Sequence, residues 1–250
     1  MSLHRFFLPP ESCTGDLLRL DKREAHHALH VLRLKHGDEA VVLDGAGNEF
    51  LCQVENASRD SMTLRVAKKN SIAAPPCSIT LLVGIPKGKI IESIIQKSVE
   101  LGVCRIVPLL TERVVTHLDG DSADAKREKW QQVAVEAIKQ CGAAWLPKIE
   151  TPVSISDFRI QNSDFDLQLV GSLQKERRHP REIISEFEKA NRRLPKPVAV
   201  WIGPEGDFTL DELQAIQNAG AQPITLGNLT LRVETAAIYC LSFLNYELNR

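Results

Sequence analysis

Two stretches of the chain combine glycine, proline and charged side chains in the way a binding turn does. The first is Trp201-Ile202-Gly203-Pro204-Glu205-Gly206-Asp207-Phe208. It closes an apolar, β-branched run, Val198–Ile202, and a helix signature follows almost at once. Thr209 and Glu212 have capping-box spacing, and Leu210, Leu213 and Ile216 give an apolar stripe that Gly220 stops. Gly203–Gly206 therefore reads as a tight turn from the carboxyl end of a buried strand into a helix, where open α/β sheets bind ligands. Taken alone, the same residues serve equally well as a plain connection whose Pro and Gly supply dihedrals.

The second stretch is Gly227-Asn228-Leu229-Thr230-Leu231-Arg232-Val233-Glu234-Thr235, between a strand at Pro223–Leu226 and a last helix from about Val233 to Leu248. A third strand ends at Val170-Gly171-Ser172. Three such turns at one sheet edge make a pocket lined by backbone amides and carbonyls, which suits an adenine edge. It suits a phosphate less, because the chain has no GxxxxGK[ST] motif. Arg232 and Glu234 sit at the mouth of that pocket. By spacing alone they fit a helix-start carboxylate and a surface arginine just as well, each worth under about 1 kcal/mol.

The elements that would position these turns alternate. Strands at 78–84, 104–110, 166–170, 198–202 and 223–226 are separated by helical patterns at about 88–101, 123–141, from Pro180, and at 209–219. That order predicts a mostly parallel sheet covered by helices on both faces, over residues 78–250. Residues 1–70 read differently: a short helical segment around Glu24–Leu32, then β runs at Ala40–Leu43, Glu49–Val54 and Ser61–Val66, forming a small barrel or sheet. Residues 71–77, with Pro75-Pro76, are the linker. Asp44-Gly45-Ala46-Gly47-Asn48 follows a strand as a nucleotide-binding loop would. The alternating residues after it predict a hairpin instead of the helix that motif requires.

Composition sets the outer bounds. With 43% hydrophobic and 25% charged residues and a net charge of −1, the 250-residue chain is of ordinary globular type. No apolar run nears the ~20 residues of a membrane span, and Met1–Cys13 lacks a signal-peptide core. Six scattered cysteines without a CxxC pair argue against a zinc site or a disulfide framework and for a reducing cytoplasm. His26 and His30 share a helix face but have no further ligand at metal spacing, so surface or partner-facing histidines are expected.

Together, Ile202–Glu212 (IGPEGDFTLDE) and Leu226–Ile238 (LGNLTLRVETAAI) resemble the paired signature of the RsmE-type ribosomal RNA methyltransferases, members of the SPOUT class. The resemblance extends over most of the chain. HRFFL (4–8), HHALHVLRLKHGD (26–38) and LDGAGNEF (43–50) are similar to that family's PUA-like RNA-binding domain. IIESIIQKSVELGV (90–103), TERVV (111–115) and WQQVAVEAIKQCG (130–142) are similar to its central signatures. The sequence departs from the family's pattern at Leu229, at Ala143-Ala144-Trp145 and at Val170-Gly171.

The resemblance implies a C-terminal trefoil knot, a homodimer, and S-adenosylmethionine as cofactor. It implies methylation of N3 of a uridine in 16S rRNA of the small ribosomal subunit. The cofactor would lie among Leu169, Val170 and Gly171, then Gly203, Glu205 and Gly206, then Leu226, Gly227, Asn228 and Leu231. Arg232 is expected on the uracil O2/O4 edge or an adjacent phosphate. Glu234 is expected to accept the N3 proton or to orient Arg232. In the N-terminal domain Arg5, Arg33 and Lys35 are the expected RNA contacts, with Phe6 and Phe7 either stacking or in the core. The alternatives are the same fold acting on another RNA or on a ribose 2′-hydroxyl, and a non-catalytic RNA-binding or ribosome-assembly factor.

Overall fold

Between His4 and Ser71 the chain forms five strands: β1 (His4–Phe7), β2 (Leu17–Arg19), β3 (Glu39–Leu43), β4 (Asn48–Ser58) and β5 (Ser61–Ser71), with buried and more exposed side chains alternating along the first half of β4. Helix α1 (Lys22–His26) and a π-helical turn (His27–Val31) lie between β2 and β3. The computed structural model describes residues 3–58, 61–113, 120–158, 164–174 and 176–249. Arg59-Asp60 of the expected β4–β5 turn and Val114-Val115 of the TERVV segment lie outside the described residues.

The strands form one sheet in the order β1-β3-β4-β5-β2, parallel only between β1 and β3. Strands β1 and β2 were not expected from the sequence, being too short to show a period. The β3–β4 connection is the expected hairpin. The Asp44 carboxylate accepts bonds from the backbone N–H of Ala46 (2.8 Å) and of Asn48 (2.9 Å), which closes the turn. Phe6, Leu18, Val42, Phe50, Met62 and Leu64 pack into the core of this unit.

The second unit alternates strand and helix: β6 (Ile79–Gly84), α2 (Ile90–Glu100), β7 (Arg105–Leu110), α3 (Gly120–Cys141), β8 (Lys148–Ile149), β9 (Val153–Ser154), β10 (Leu167–Gly171), α4 (Pro180–Asn191), β11 (Val198–Ile202), α5 (Leu210–Asn218), β12 (Ala221–Ile224) and α6 (Val233–Leu248). Its seven strands are parallel wherever they pair. The order is β12-β10-β11-β6-β7-β8, with β9 also on β7. Every residue of β6 and β11 is buried, as a sheet covered on both faces requires. Strand β12 begins two residues earlier than expected and ends before Leu226. Pro223 can stand within it because β12 is an edge strand, which needs no N–H on its outer side.

The contacts divide the chain at Ala74/Pro75, but they also assign residues 135–146, the end of α3 and the turn after it, to the N-terminal unit. The bonds there are specific. Lys139 Nζ lies 2.7 Å from Glu24 Oε1, with both side chains under 10% exposed. Arg5 Nη1 donates to the carbonyls of Lys139 (3.4 Å) and Gln140 (3.3 Å) at the helix end. Trp145 Nε1 donates to the Ile72 carbonyl at 3.1 Å, and Gly47 N–H donates to the Ala144 carbonyl at 2.9 Å. The Ala-Ala-Trp segment thus holds this end of the unit together.

Burial holds the Glu24 carboxyl above the usual carboxylate range despite the Lys139 ammonium beside it, and its Oε2 has no partner among the described residues. Glu24→Gln would strand a nearly buried ammonium, with only the half-exposed Glu136 (3.1 Å) left to it. The expected loss is about 3 kcal/mol, the lower end for breaking a buried pair. Replacing both partners together, Glu24→Leu with Lys139→Met, should cost much less. Urea unfolding of the three proteins checks this, and a double variant as unstable as Glu24→Gln would contradict it.

Candidate active site

Strand β10 is flanked by β11 and β12, with Val170 opposite Trp201 and Gly171 opposite Ile224. Three parallel neighbours end at the same edge, so the turns that leave them converge. They enclose a cleft of about 250 Å³. Its walls are mixed: Ile202, Leu226, Leu231 and Ala236 are apolar, Gly171, Gly203 and Gly227 present backbone, and Glu205, Asp207, Arg177 and Arg232 bring charge.

The β11 turn is held by close packing. A Cβ on Gly84 would lie 2.6 Å from Pro204 Cδ and 2.7 Å from its nitrogen, so Pro204 seats directly on the backbone at the end of β6. Glu205 Oε1 accepts from the Lys87 N–H at 3.0 Å. The Arg113 guanidinium donates to the Gly206 carbonyl, and Asp207 N–H donates to the Pro204 carbonyl at 2.9 Å. Asp207 sits in the left-handed region at φ 60°, with Oδ1 accepting from Phe208 N–H at 2.8 Å. Burial pushes its carboxyl up, while the Phe208 N–H and the Arg113 charge pull the other way. The expected capping box starts α5: Glu212 N–H donates to Thr209 Oγ1 at 3.2 Å, and Thr209 N–H to Glu212 Oε2 at 2.8 Å. Glu212 Oε1 also accepts from Glu112 N–H at 2.9 Å, tying α5 to the segment after β7.

The other two turns are tied to each other, with Ser172 N–H donating to the Ile224 carbonyl at 3.2 Å and Thr225 N–H to the Arg178 carbonyl at 3.0 Å, and each also carries local bonds. After β12, Thr225 Oγ1 accepts from Gly227 N–H and donates to the Gly227 carbonyl, both at 3.2 Å. Gly227 has φ 107°, a conformation side-chain-bearing residues rarely take. Arg232 follows as the N-cap of α6, exposed, with Glu234 half-buried in the first turn. After β10, Arg177 Nη1 donates to the Ser172 carbonyl at 3.1 Å.

Of the residues expected around a cofactor, Gly171, Gly203, Glu205, Leu226, Gly227 and Leu231 line the cleft, as does Arg232. Leu169 and Val170 are fully buried in β10, and Leu169 packs in an apolar region with Leu226, Tyr239 and Phe243, away from the cleft. Gly206 and Asn228 belong to the turns but not to the cleft wall, and Glu234 stands just beyond the lining residue Val233. Ser172, Arg177, Asp207 and Thr230 line the cleft without having been singled out from the sequence. Asp207 was within reach, since it directly follows the glycine turn. Arg177 lies in a polar run that reads as a solvated loop.

Among the expected RNA contacts, Arg33 and Lys35 are exposed, and Arg33 leaves the π-turn in the left-handed region at φ 58°. Arg5 is engaged by the α3 carbonyls described above. Phe6 is core and Phe7 half-buried. His26 and His30 are exposed, their rings 4.7 Å apart. Among the described residues no three metal-ligating side chains cluster, and no helix is long and apolar enough to cross a membrane.

Comparison with known proteins adds to this geometry. The model of the RNA methyltransferase domain matches residues 73–245, and that of the RNA methyltransferase PUA domain matches residues 20–67. Ribosomal RNA small subunit methyltransferase E of Bacillus subtilis (strain 168) is 31% identical over 242 residues, 96% of this chain and 91% of that protein. Its namesake of Synechocystis sp. is 30% identical over 244 residues, 97% of this chain and 77% of that protein. A Legionella pneumophila methyltransferase solved in complex with the bound cofactor SAM matches with a TM-score of 0.87 at 31% identity, over 99% of this chain and 98% of that one. Ribosomal RNA small subunit methyltransferase E of Neisseria gonorrhoeae, bound to S-adenosyl methionine, matches at 0.85 and 25%, over 98% of each chain.

The Pro204–Gly84 contact is the most direct test of how the cleft is built. Gly84→Ala places a methyl group where Pro204 stands, at an expected cost of about 1–3 kcal/mol. Thermal melting should fall by roughly 2–4 °C per kcal/mol, and amide exchange across residues 203–208 should quicken. Unchanged melting and exchange would mean the turn does not rest on β6.

Proposed function

This chain belongs to the ribosomal RNA small subunit methyltransferase E family, and from that premise we propose that it methylates N3 of a specific uridine in 16S rRNA of the small ribosomal subunit, in the cytoplasm, with S-adenosylmethionine as donor. The observation that carries the reading is the cleft where the turns after β10, β11 and β12 converge. Its composition fits that donor. The backbone of Gly171, Gly203 and Gly227 can meet an adenine edge, Ile202, Leu226 and Leu231 its apolar faces, and the charged residues a zwitterionic tail. When bound, the donor supplies a methyl group on a sulfonium, and positioning accounts for much of such an in-line displacement.

The protein's task is then the uridine. N3 carries a proton at neutral pH and is a poor nucleophile until that proton leaves. Arg232, exposed at the cleft's rim, binds the uracil O2/O4 edge or the adjacent phosphate and stabilises the charge that develops there. Glu234, two residues on in the first turn of α6, accepts the N3 proton or holds Arg232 in place. N3 lies on the pairing edge, so the nucleotide enters unpaired or flipped from its stack. The N-terminal unit, residues 1–70 in this reading, guides the RNA through the exposed Arg33 and Lys35, since Arg5 already serves α3. Residues 71–77 link it to the catalytic part, 78–250.

The order of the last strands supports a trefoil knot: β11 enters between β10 and β6, and the chain then passes to the far side of β10 to form β12. A homodimer is supported by α6, where Tyr239 (49% exposed), half-buried Phe243 and Tyr246 (77%) share one helix face.

Glu234→Gln should lower kcat on small ribosomal subunits by about 10²- to 10⁴-fold and leave donor affinity unchanged. Wild-type turnover would remove it as proton acceptor. Arg232→Ala should lower kcat/KM on the same substrate, and unchanged kcat and KM would take Arg232 out of the mechanism. Tyr246→Glu should shift the sedimentation coefficient from dimer to monomer. A wild-type protein that sediments as a monomer would contradict the dimer.

A further inference from the structure

We propose that Arg177 is the residue that binds the α-carboxylate of the cofactor's methionyl tail; the proposal rests on reading the cleft as the S-adenosylmethionine site. Arg177 is half-buried on the loop after β10 and is one of the residues that line the cleft. Arginines near it in the chain are spent on carboxylates. Arg178 pairs with Glu186, Arg181 with Glu247 and Arg193 with Asp166. Arg177 has no ion pair among the described residues, and its one hydrogen bond is Nη1 to the Ser172 carbonyl at 3.1 Å. That carbonyl belongs to a buried residue whose Oγ accepts from Gln174 N–H at 3.1 Å, so the tether is itself fixed. A guanidinium has five N–H donors in a planar fork. Held by one of them, the others can meet a carboxylate with little further loss of side-chain freedom.

The charges of the cleft are sorted. The carboxylates Glu205 and Asp207 are both on the β11 turn, and each already accepts a backbone bond, from Lys87 and Phe208. The cations Arg177 and Arg232 are on the two flanking turns. A tail carrying a carboxylate, an ammonium and a sulfonium must therefore place its carboxylate toward Arg177 or Arg232. Arg232 is exposed at the helix start, where a macromolecular substrate arrives, whereas Arg177 is tethered and partly shielded. The tethered cation suits the small ligand, and the exposed one the RNA.

The test compares two ligands by calorimetry on the full-length protein. One is S-adenosylmethionine. The other is 5′-methylthioadenosine, which keeps the adenosine and the sulfur but has no amino-acid tail. Arg177→Ala should weaken S-adenosylmethionine about 10- to 100-fold, the range for losing a charge-assisted bond, and change methylthioadenosine less than about twofold. Arg177→Lys, which keeps the charge but not the fork, should fall between wild type and Arg177→Ala for S-adenosylmethionine. Equal losses for both ligands would make Arg177 a support of its loop and overturn the proposal, as would no loss for either. A selective loss in Arg232→Ala instead would move the assignment to that residue. If the wild-type protein binds neither ligand, the reading of the cleft falls first, and the role of Arg177 with it.

Discussion

Everything at the candidate site depends on β10 lying between β11 and β12. A parallel strand delivers its carboxyl end to the same edge as its neighbours, so the chain gathers three turns by strand order and needs no long loop to bring them together. Pairing in register, Val170 with Trp201 and Gly171 with Ile224, then fixes how far each turn projects. A slip in this pairing would displace a turn from the cleft, and the buried faces of β10 and β11 penalise it, because nearly every side chain there is core.

The walls divide their work between backbone and side chains. Glycine and proline let the chain approach a ligand and its own sheet closely: Pro204 on Gly84, and Gly227 at a dihedral few residues accept. Charge sits at the edges of these turns and is mostly pre-committed to backbone N–H groups or carbonyls, which holds it in place before any ligand arrives. Glu212 does this twice over, closing the cap of α5 with one oxygen and holding the segment after β7 with the other. Rigid turns of this kind suit a reaction in which positioning outweighs chemistry by side chains.

How much of this was legible follows from range. The GPEG turn, the capping box at Thr209 and Glu212, and the Asp44 hairpin are local devices, and each stands where the sequence placed it. Strand β12 begins two residues before the expected one because an edge strand tolerates a proline that marks an end elsewhere. Strands of three or four residues, such as β1 and β2, carry no readable period. Least legible were contacts distant in the chain. Glu24 and Lys139 are 115 residues apart, and the transfer of residues 135–146 to the N-terminal unit follows from bonds of that kind. Arg177 was hidden for a related reason, since its loop composition is that of any solvated surface and only the fold turns it toward the cleft.

The most direct test of the central claim is methyl transfer from labelled S-adenosylmethionine to small ribosomal subunits purified from cells lacking this gene, with the product nucleoside identified by mass spectrometry. The account predicts 3-methyluridine, formed at a single position of 16S rRNA. A methylated ribose or another base, or no incorporation by a protein that binds the donor, would contradict it.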